Sequence, residues 1–154
     1  MKRSNTTKTF AMAALTAIAL AIAPTAKAQV NKGCNNATLQ GTFAYTVTGA
    51  IVAAPAAPLG PYAEVGAQTF DGNGNTATAG NSNSNGSIAP VTETGTYTVN
   101  SDCTGTFILQ IAPGIASHYF FVIANSGASY QAICLDPVAV VTRIGTKLYP
   151  GRDI

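Results

Sequence analysis

Thr42-Phe43-Ala44-Tyr45-Thr46-Val47-Thr48 sets the large apolar side chains Phe43, Tyr45 and Val47 against small or hydroxylated ones without a break. A period of two is that of a β-strand with one dry face. The same grammar extends toward the C-terminus. Tyr62 to Phe70 reads as a strand that ends at Asp71-Gly72-Asn73-Gly74-Asn75, where Gly and Asn tolerate the positive φ of a tight reversal, and Thr76 to Ala79 returns as its partner. Ile88 to Asn100 forms one bent strand or two short ones, with Gly95 as a bulge or kink. Thr104 to Ala112, Ser117 to Ala124, Ser129 to Leu135 and Val138 to Lys147 follow, separated by Pro113-Gly114, Asn125-Ser126-Gly127 and Asp136-Pro137.

Two stretches between these runs read as loops. Ala50 to Pro61 carries Pro55, Pro58 and Pro61, which remove amide donors, and Gly80 to Ser87 contains no apolar residue. From Gln29 onward no stretch of ten or more residues shows the 3.6 period of an amphipathic helix. Short connections favour sequential antiparallel pairing, and a sheet so built must hide its edges. The expectation is an all-β domain, a single antiparallel up-and-down barrel of about eight strands.

Working outward to the N-terminus, Lys2, Arg3 and Lys8 precede the uncharged apolar run Phe10 to Ala23, and Ala26-Lys27-Ala28 is a small-x-small cleavage site. Residues 1–28 thus read as a cleavable secretory signal helix and 29–154 as one β-barrel domain. The apolar run falls short of the roughly 20 residues that span a bilayer, so no membrane insertion is expected after cleavage. The expected location is secreted or periplasmic. Cleavage removes four of the eight basic side chains and none of the six acidic ones, leaving a net charge of −2. Lys32, Arg143, Lys147 and Arg152 form no basic stripe, so nucleic acid is not an expected partner.

Export permits a disulfide among Cys34, Cys103 and Cys134. The expected pair is Cys34 with Cys103, because Cys34 lies in the polar lead-in Asn31 to Thr38 and Cys103 in the turn Asn100 to Gly105, flexible places where a bridge does not distort a strand. Cys134, inside an apolar run, reads as a buried small hydrophobe.

Asp71-Gly72-Asn73-Gly74-Asn75 and Gly95-Thr96-Tyr97-Thr98-Val99-Asn100-Ser101-Asp102-Cys103-Thr104-Gly105-Thr106 resemble segments of a group of small exported bacterial β-barrel proteins of unassigned function. That group is similar to the allene oxide cyclase-like, calycin-like barrels. The resemblance runs from about Thr38 to Lys147 and implies a closed barrel of about eight strands. It carries no reaction over, because the cyclases' catalytic residues find no numbered counterparts in this chain.

Candidate site residues are few. His118 is the only histidine, and no Cys or His stands at ligand spacing from it, so no metal is expected; nor is any cofactor. By alternation it shares a face with Phe120 and Val122 while Tyr119 takes the other, and its plainest place is at a strand's mouth. Asp71 to Asn75 begins like a calcium loop but has Thr76 and Ser82 where an EF-hand has its glycine and glutamate. Glu64 lies on one strand face with Tyr62 and Gln68. Pointing inward it would have a raised pKa and hold a ligand's polar head or move a proton; the simpler placement makes that face the wet outer one. Glu93, between Thr92 and Thr94, is expected to be solvated.

Three functions follow. The first is an exported barrel binding a small apolar ligand in its interior or at its mouth, with Glu64, His118, Tyr62 and Tyr119 as ligand-binding residues and an aromatic set around them. The second is a cyclase- or isomerase-like enzyme on a lipid-like substrate, using Glu64, His118 or a tyrosine. The third is a structural or adhesive surface protein whose spare thiol, Cys134, serves contacts between chains.

Overall fold

Eight strands close on themselves in sequence order: β1 (Gly41–Ile51), β2 (Gly60–Phe70), β3 (Asn75–Ser84), β4 (Ser87–Val99), β5 (Thr104–Ala112), β6 (Ile115–Ala124), β7 (Ser129–Cys134) and β8 (Ala139–Lys147). Every neighbouring pair is antiparallel, and β1 pairs with both β2 and β8, so the up-and-down barrel is complete and has no free edge. The computed structural model describes residues 33–56 and 58–149. The leader read at 1–28 lies outside the described residues.

Alternation decides what goes inside. Phe43, Tyr45 and Val47 of β1 are buried, while Ala44, Thr46 and Thr48 are exposed. One half of the lumen is aromatic. Phe70 meets Phe43, Tyr97 and Tyr130 edge-on, and Phe107 stacks on Tyr119 and Phe121 with centroids 4.7 and 5.7 Å away. Each such pair contributes about 0.5–1.5 kcal/mol beyond its buried area.

Rings this large need small partners across the lumen. A Cβ on Gly145 would lie 2.1 Å from the Tyr130 ring, and one on Gly105 would lie 2.4 Å from that of Phe121. Glycine is required there for space, not for its backbone freedom.

A short 3-10 turn, Asn36–Leu39, seals the end carrying the β2–β3 and β4–β5 turns. Leu39 is fully buried, the Asn36 side chain accepts from the Val99 amide at 2.8 Å, and the Tyr97 hydroxyl donates to the Asn36 carbonyl at 2.9 Å. The Cys34–Cys103 disulfide pins this plug, and Cys134 is free and buried, as expected from their surroundings.

Three local readings need correction. Gly80 to Ser84 is not a loop: β3 runs through it, and only Asn85-Gly86, both at positive φ, make the two-residue turn into β4. Its inward positions are small because the Tyr45 hydroxyl occupies the space above them; a Cβ on Gly80 would lie 3.0 Å from it. Gly95 marks no bulge either. There β4 and β5 approach so closely that a Cβ would sit 1.8 Å from the Ile108 carbonyl oxygen, and the register shift falls instead between Gln110 and Ala112. Finally, the Pro-rich loop is shorter than Ala50 to Pro61, since β1 continues to Ile51 and β2 starts at Gly60.

Candidate functional site

Every charged side chain borne by a strand (Glu64, Glu93, Arg143 and Lys147) falls on the inward register. Above the aromatic layer, three of these converge. Arg143 of β8 is 1% exposed, and its Nη2 lies 3.2 Å from Glu64 Oε1 and 3.9 Å from Glu93 Oε2. Its Nη1 donates to Gln68 Oε1 at 3.1 Å, and its guanidinium carbon sits 4.2 Å from the Tyr45 ring centroid and 5.3 Å from that of Tyr119. Such stacking stabilises a cation that has lost its water. Of the buried side-chain nitrogens and oxygens among the described residues, Arg143 Nε alone has no hydrogen-bond partner.

Around this cation the hydroxyls are ordered by the two carboxyl groups and the Gln68 carboxamide. Tyr45 donates to Glu64 Oε1, Tyr62 donates to Glu64 Oε2 at 2.5 Å, Thr78 donates to Glu93 Oε2 at 3.0 Å, and Tyr130 donates to Gln68 Oε1. The placement of Tyr62, Glu64 and Gln68 on a wet outer face is therefore overturned, as is that of Glu93 in solvent. β2 turns Val65, Ala67 and Thr69 outward instead, and Glu93 follows the parity of Tyr97. Burial is tolerated because each carboxyl finds a donor.

Proton affinities follow from this packing. Burial, reinforced by the bond to Glu64, pushes the phenols of Tyr45 and Tyr62 far above their ordinary range. Burial pushes Tyr119 up to about 12. Glu93 is raised first by burial and then by the charge of Glu64, against the pull of Arg143 and Thr78. With two carboxyls facing one guanidinium, Glu93 is the group whose proton uptake relieves the imbalance.

Of the four candidate residues, the barrel brings Glu64, Tyr62 and Tyr119 to this cluster and leaves His118 apart. His118 stands on the outer wall with 47% of its side chain exposed, its Nδ1 2.9 Å from Asp136 Oδ1. Its backbone N–H also donates to Asp136 Oδ2 at 2.8 Å, and these contacts outweigh burial in holding the Asp136 carboxyl low. Cys134 Sγ lies 3.7 Å from the same oxygen but is pushed up by burial, so it remains a thiol.

Tyr45, Gln68, Glu93, Thr78 and Arg143 are members of the cluster that were not named as candidates. For Glu93 the signal was present: Val91, Glu93, Gly95 and Tyr97 share one parity against Thr92, Thr94, Thr96 and Thr98. The cluster also reaches the open rim. Tyr62 is only partly buried, and with Pro61, Ala63, Asn83 and Asn85 it lines a concavity of about 310 Å³ beside the β3–β4 turn. A second concavity lies on the outer wall. Set beside family models, curated proteins and solved structures, the chain matches none of them.

Proposed function

We propose that this chain is an exported, non-catalytic binding protein that takes a small, largely apolar ligand at the rim of its barrel. The observation that carries this reading is Tyr62, which lines the rim concavity and donates its hydroxyl to the buried Glu64. A ligand seated there meets Pro61 and Ala63 as an apolar floor and Asn83 and Asn85 as polar contacts. A volume of about 310 Å³ is at the small end of ligand sites, which favours a compact guest. The deep interior is the less favoured seat, since Arg143, Tyr45, Tyr130, Phe43, Phe70 and Phe107 already fill it. The disulfide fits an oxidising, exported setting.

The enzymatic alternative keeps one observation in its favour, the convergence of Glu64, Tyr62, Tyr45 and Arg143 on one point. These groups are spent on one another, and two phenols pushed so high are poor proton donors to a substrate at neutral pH. The adhesive reading loses the thiol that motivated it, because Cys134 is buried.

Titration with the fluorescent apolar probe N-phenyl-1-naphthylamine tests the proposal. Ala63→Trp, at an exposed position, fills the concavity without entering the core. The expected result is saturable binding that weakens at least about tenfold in Ala63→Trp, a loss of roughly 1.4 kcal/mol. Equal binding by both proteins, with the variant folded, rejects the rim as the site.

A further inference from the structure

The two ends of the barrel differ in chemistry. At the plugged end the turns Asp71-Gly72-Asn73-Gly74, Asn100-Ser101-Asp102-Cys103 and Asn125-Ser126-Gly127 are polar, and only Leu148 and Tyr149, just beyond β8, are large exposed apolar residues there. The opposite end carries the β1–β2 loop and the β3–β4, β5–β6 and β7–β8 turns. Around it Leu59, Ile88, Ile111, Ile115, Leu135 and Val140 are each between 51% and 75% exposed, and all four connections contribute to this aliphatic crown. Prolines gather at the same end. Pro55, Pro58, Pro61, Pro90, Pro113 and Pro137 all belong to this half of the barrel, and each removes an amide donor.

We propose that the crown docks on an uncharged lipid surface, its aliphatic tips entering the interface while the barrel wall stays outside. Backbone pairing is the first ground for choosing lipid, since a medium poor in water tolerates only polar groups that are already bonded. The amides of Val52 and Ala53 both donate to the Val138 carbonyl, at 2.8 and 3.3 Å, which ties the β1–β2 loop to the β7–β8 turn. Those of Asn85, Leu135 and Ala139 donate to the carbonyls of Pro61, His118 and Asp136, and the Gly86 amide donates to Asn83 Oδ1 at 2.8 Å. These bonds and the prolines lower the cost of leaving water.

Charge is the second ground. Among the described residues of these four connections Asp136 is the one Asp, Glu, Lys or Arg, and it already accepts from the His118 backbone N–H and lies 2.9 Å from His118 Nδ1. With no Lys or Arg on the crown, attraction to anionic headgroups has no source. Shape is the third. Protein interfaces gather aromatic and Arg side chains into one packed centre, whereas the exposed large residues here are Val, Leu and Ile on separate connections around a rim. A fluid partner admits each tip on its own.

The wall limits the depth. Below Ile88, β4 turns Thr92, Thr94, Thr96 and Thr98 outward, and the large rings are packed in the lumen, so the barrel rests on the surface and does not span it. The rim concavity shares this end of the molecule, but docking does not depend on its having a ligand.

Co-sedimentation of the exported protein, residues 29–154, with phosphatidylcholine vesicles tests the proposal. Binding should rise with lipid concentration and be unchanged by salt or by added phosphatidylglycerol. Ile88→Asp/Ile115→Asp should weaken it at least about tenfold, because two tips now carry charge into the interface. Val122→Asp/Ile133→Asp, which changes the same kind of side chain on the wall, should leave it unchanged, with both variants shown folded by circular dichroism. The chain has no tryptophan, so Ile88→Trp reports on the crown alone. Its emission should shift to the blue on vesicles and be quenched by lipids brominated on the acyl chains, while Ser101→Trp at the plugged end does neither. No sedimentation with vesicles, binding that requires the anionic lipid, equal loss in both double variants, or an Ile88→Trp emission indifferent to lipid each overturns the proposal. So does a dimer in sedimentation velocity that Ile88→Asp/Ile115→Asp dissolves, since the crown is then a contact between copies. These assays contain no apolar probe and leave Ala63 untouched, so the rim site and the crown can each fail alone.

Discussion

Replacing Arg143 with Met removes the guanidinium that faces both buried carboxyl groups of the lumen, and the structure indicates how much that should cost. Arg143 and Glu64 have side chains 1% and 3% exposed, so solvent screening offers almost no relief. The variant keeps most of the volume over Tyr45 and Tyr119 but leaves Glu64 and Glu93 without a countercharge. Breaking a buried pair in this way costs about 3–5 kcal/mol, which for a domain of this size lowers Tm by roughly 10–20 °C. Urea or thermal unfolding followed by far-UV circular dichroism measures it. The loss should also depend on pH. Glu93, already raised by burial, loses the pull of Arg143 and rises further. A folded-state pKa above the unfolded value gives stability that is full below the unfolded value and lost as pH rises through the folded one, so the variant should recover toward the acid side. Arg143→Met/Glu64→Gln/Glu93→Gln should recover most of the deficit at neutral pH, because an apolar and amide lumen no longer buries charge. A single-variant cost below about 1 kcal/mol, or no recovery in the triple variant, would refute the view of Arg143 as the neutralising centre of the barrel.

Other outcomes follow from the same packing. Glu93→Gln alone should raise stability at neutral pH and flatten its decline as pH rises above the ordinary carboxylate range, read from unfolding midpoints across pH, since the raised Glu93 carboxyl no longer has to ionise in the lumen. Gly145→Ala places a methyl group 2.1 Å from the Tyr130 ring and should cost about 1–3 kcal/mol in the same assay, with loss of near-ultraviolet tyrosine dichroism. Cys34→Ser/Cys103→Ser opens a bridge between residues 69 apart and should lower stability by about 4 kcal/mol, seen as a shift in the urea midpoint. Cys134 should react with a thiol reagent only at the rate of unfolding, since its thiol is buried and pushed above its ordinary range; fast labelling of the native protein would contradict the structure.

What the chain alone determined is the local grammar. The period of two in Thr42 to Thr48, the Asp71-to-Asn75 reversal and short connections lead to an up-and-down barrel, because alternation and turn chemistry act over neighbouring residues. The disulfide was legible for a similar reason, as Cys34 lies in a polar lead-in and Cys103 in a turn, both outside the strands. What only the tertiary structure decided is the parity of strands whose two faces look alike. In β8 the outward Val140, Thr142 and Ile144 are more apolar than the inward Val141, Arg143 and Gly145, and β6 is apolar on both sides. A buried arginine becomes tolerable only when Glu64, Glu93 and three aromatic rings from other strands arrive around it, and no local pattern records that meeting. Gly80 to Ser84 followed the same rule: a polar stretch became strand because its backbone pairs on both sides and Tyr45 of β1 needed the space its small residues leave.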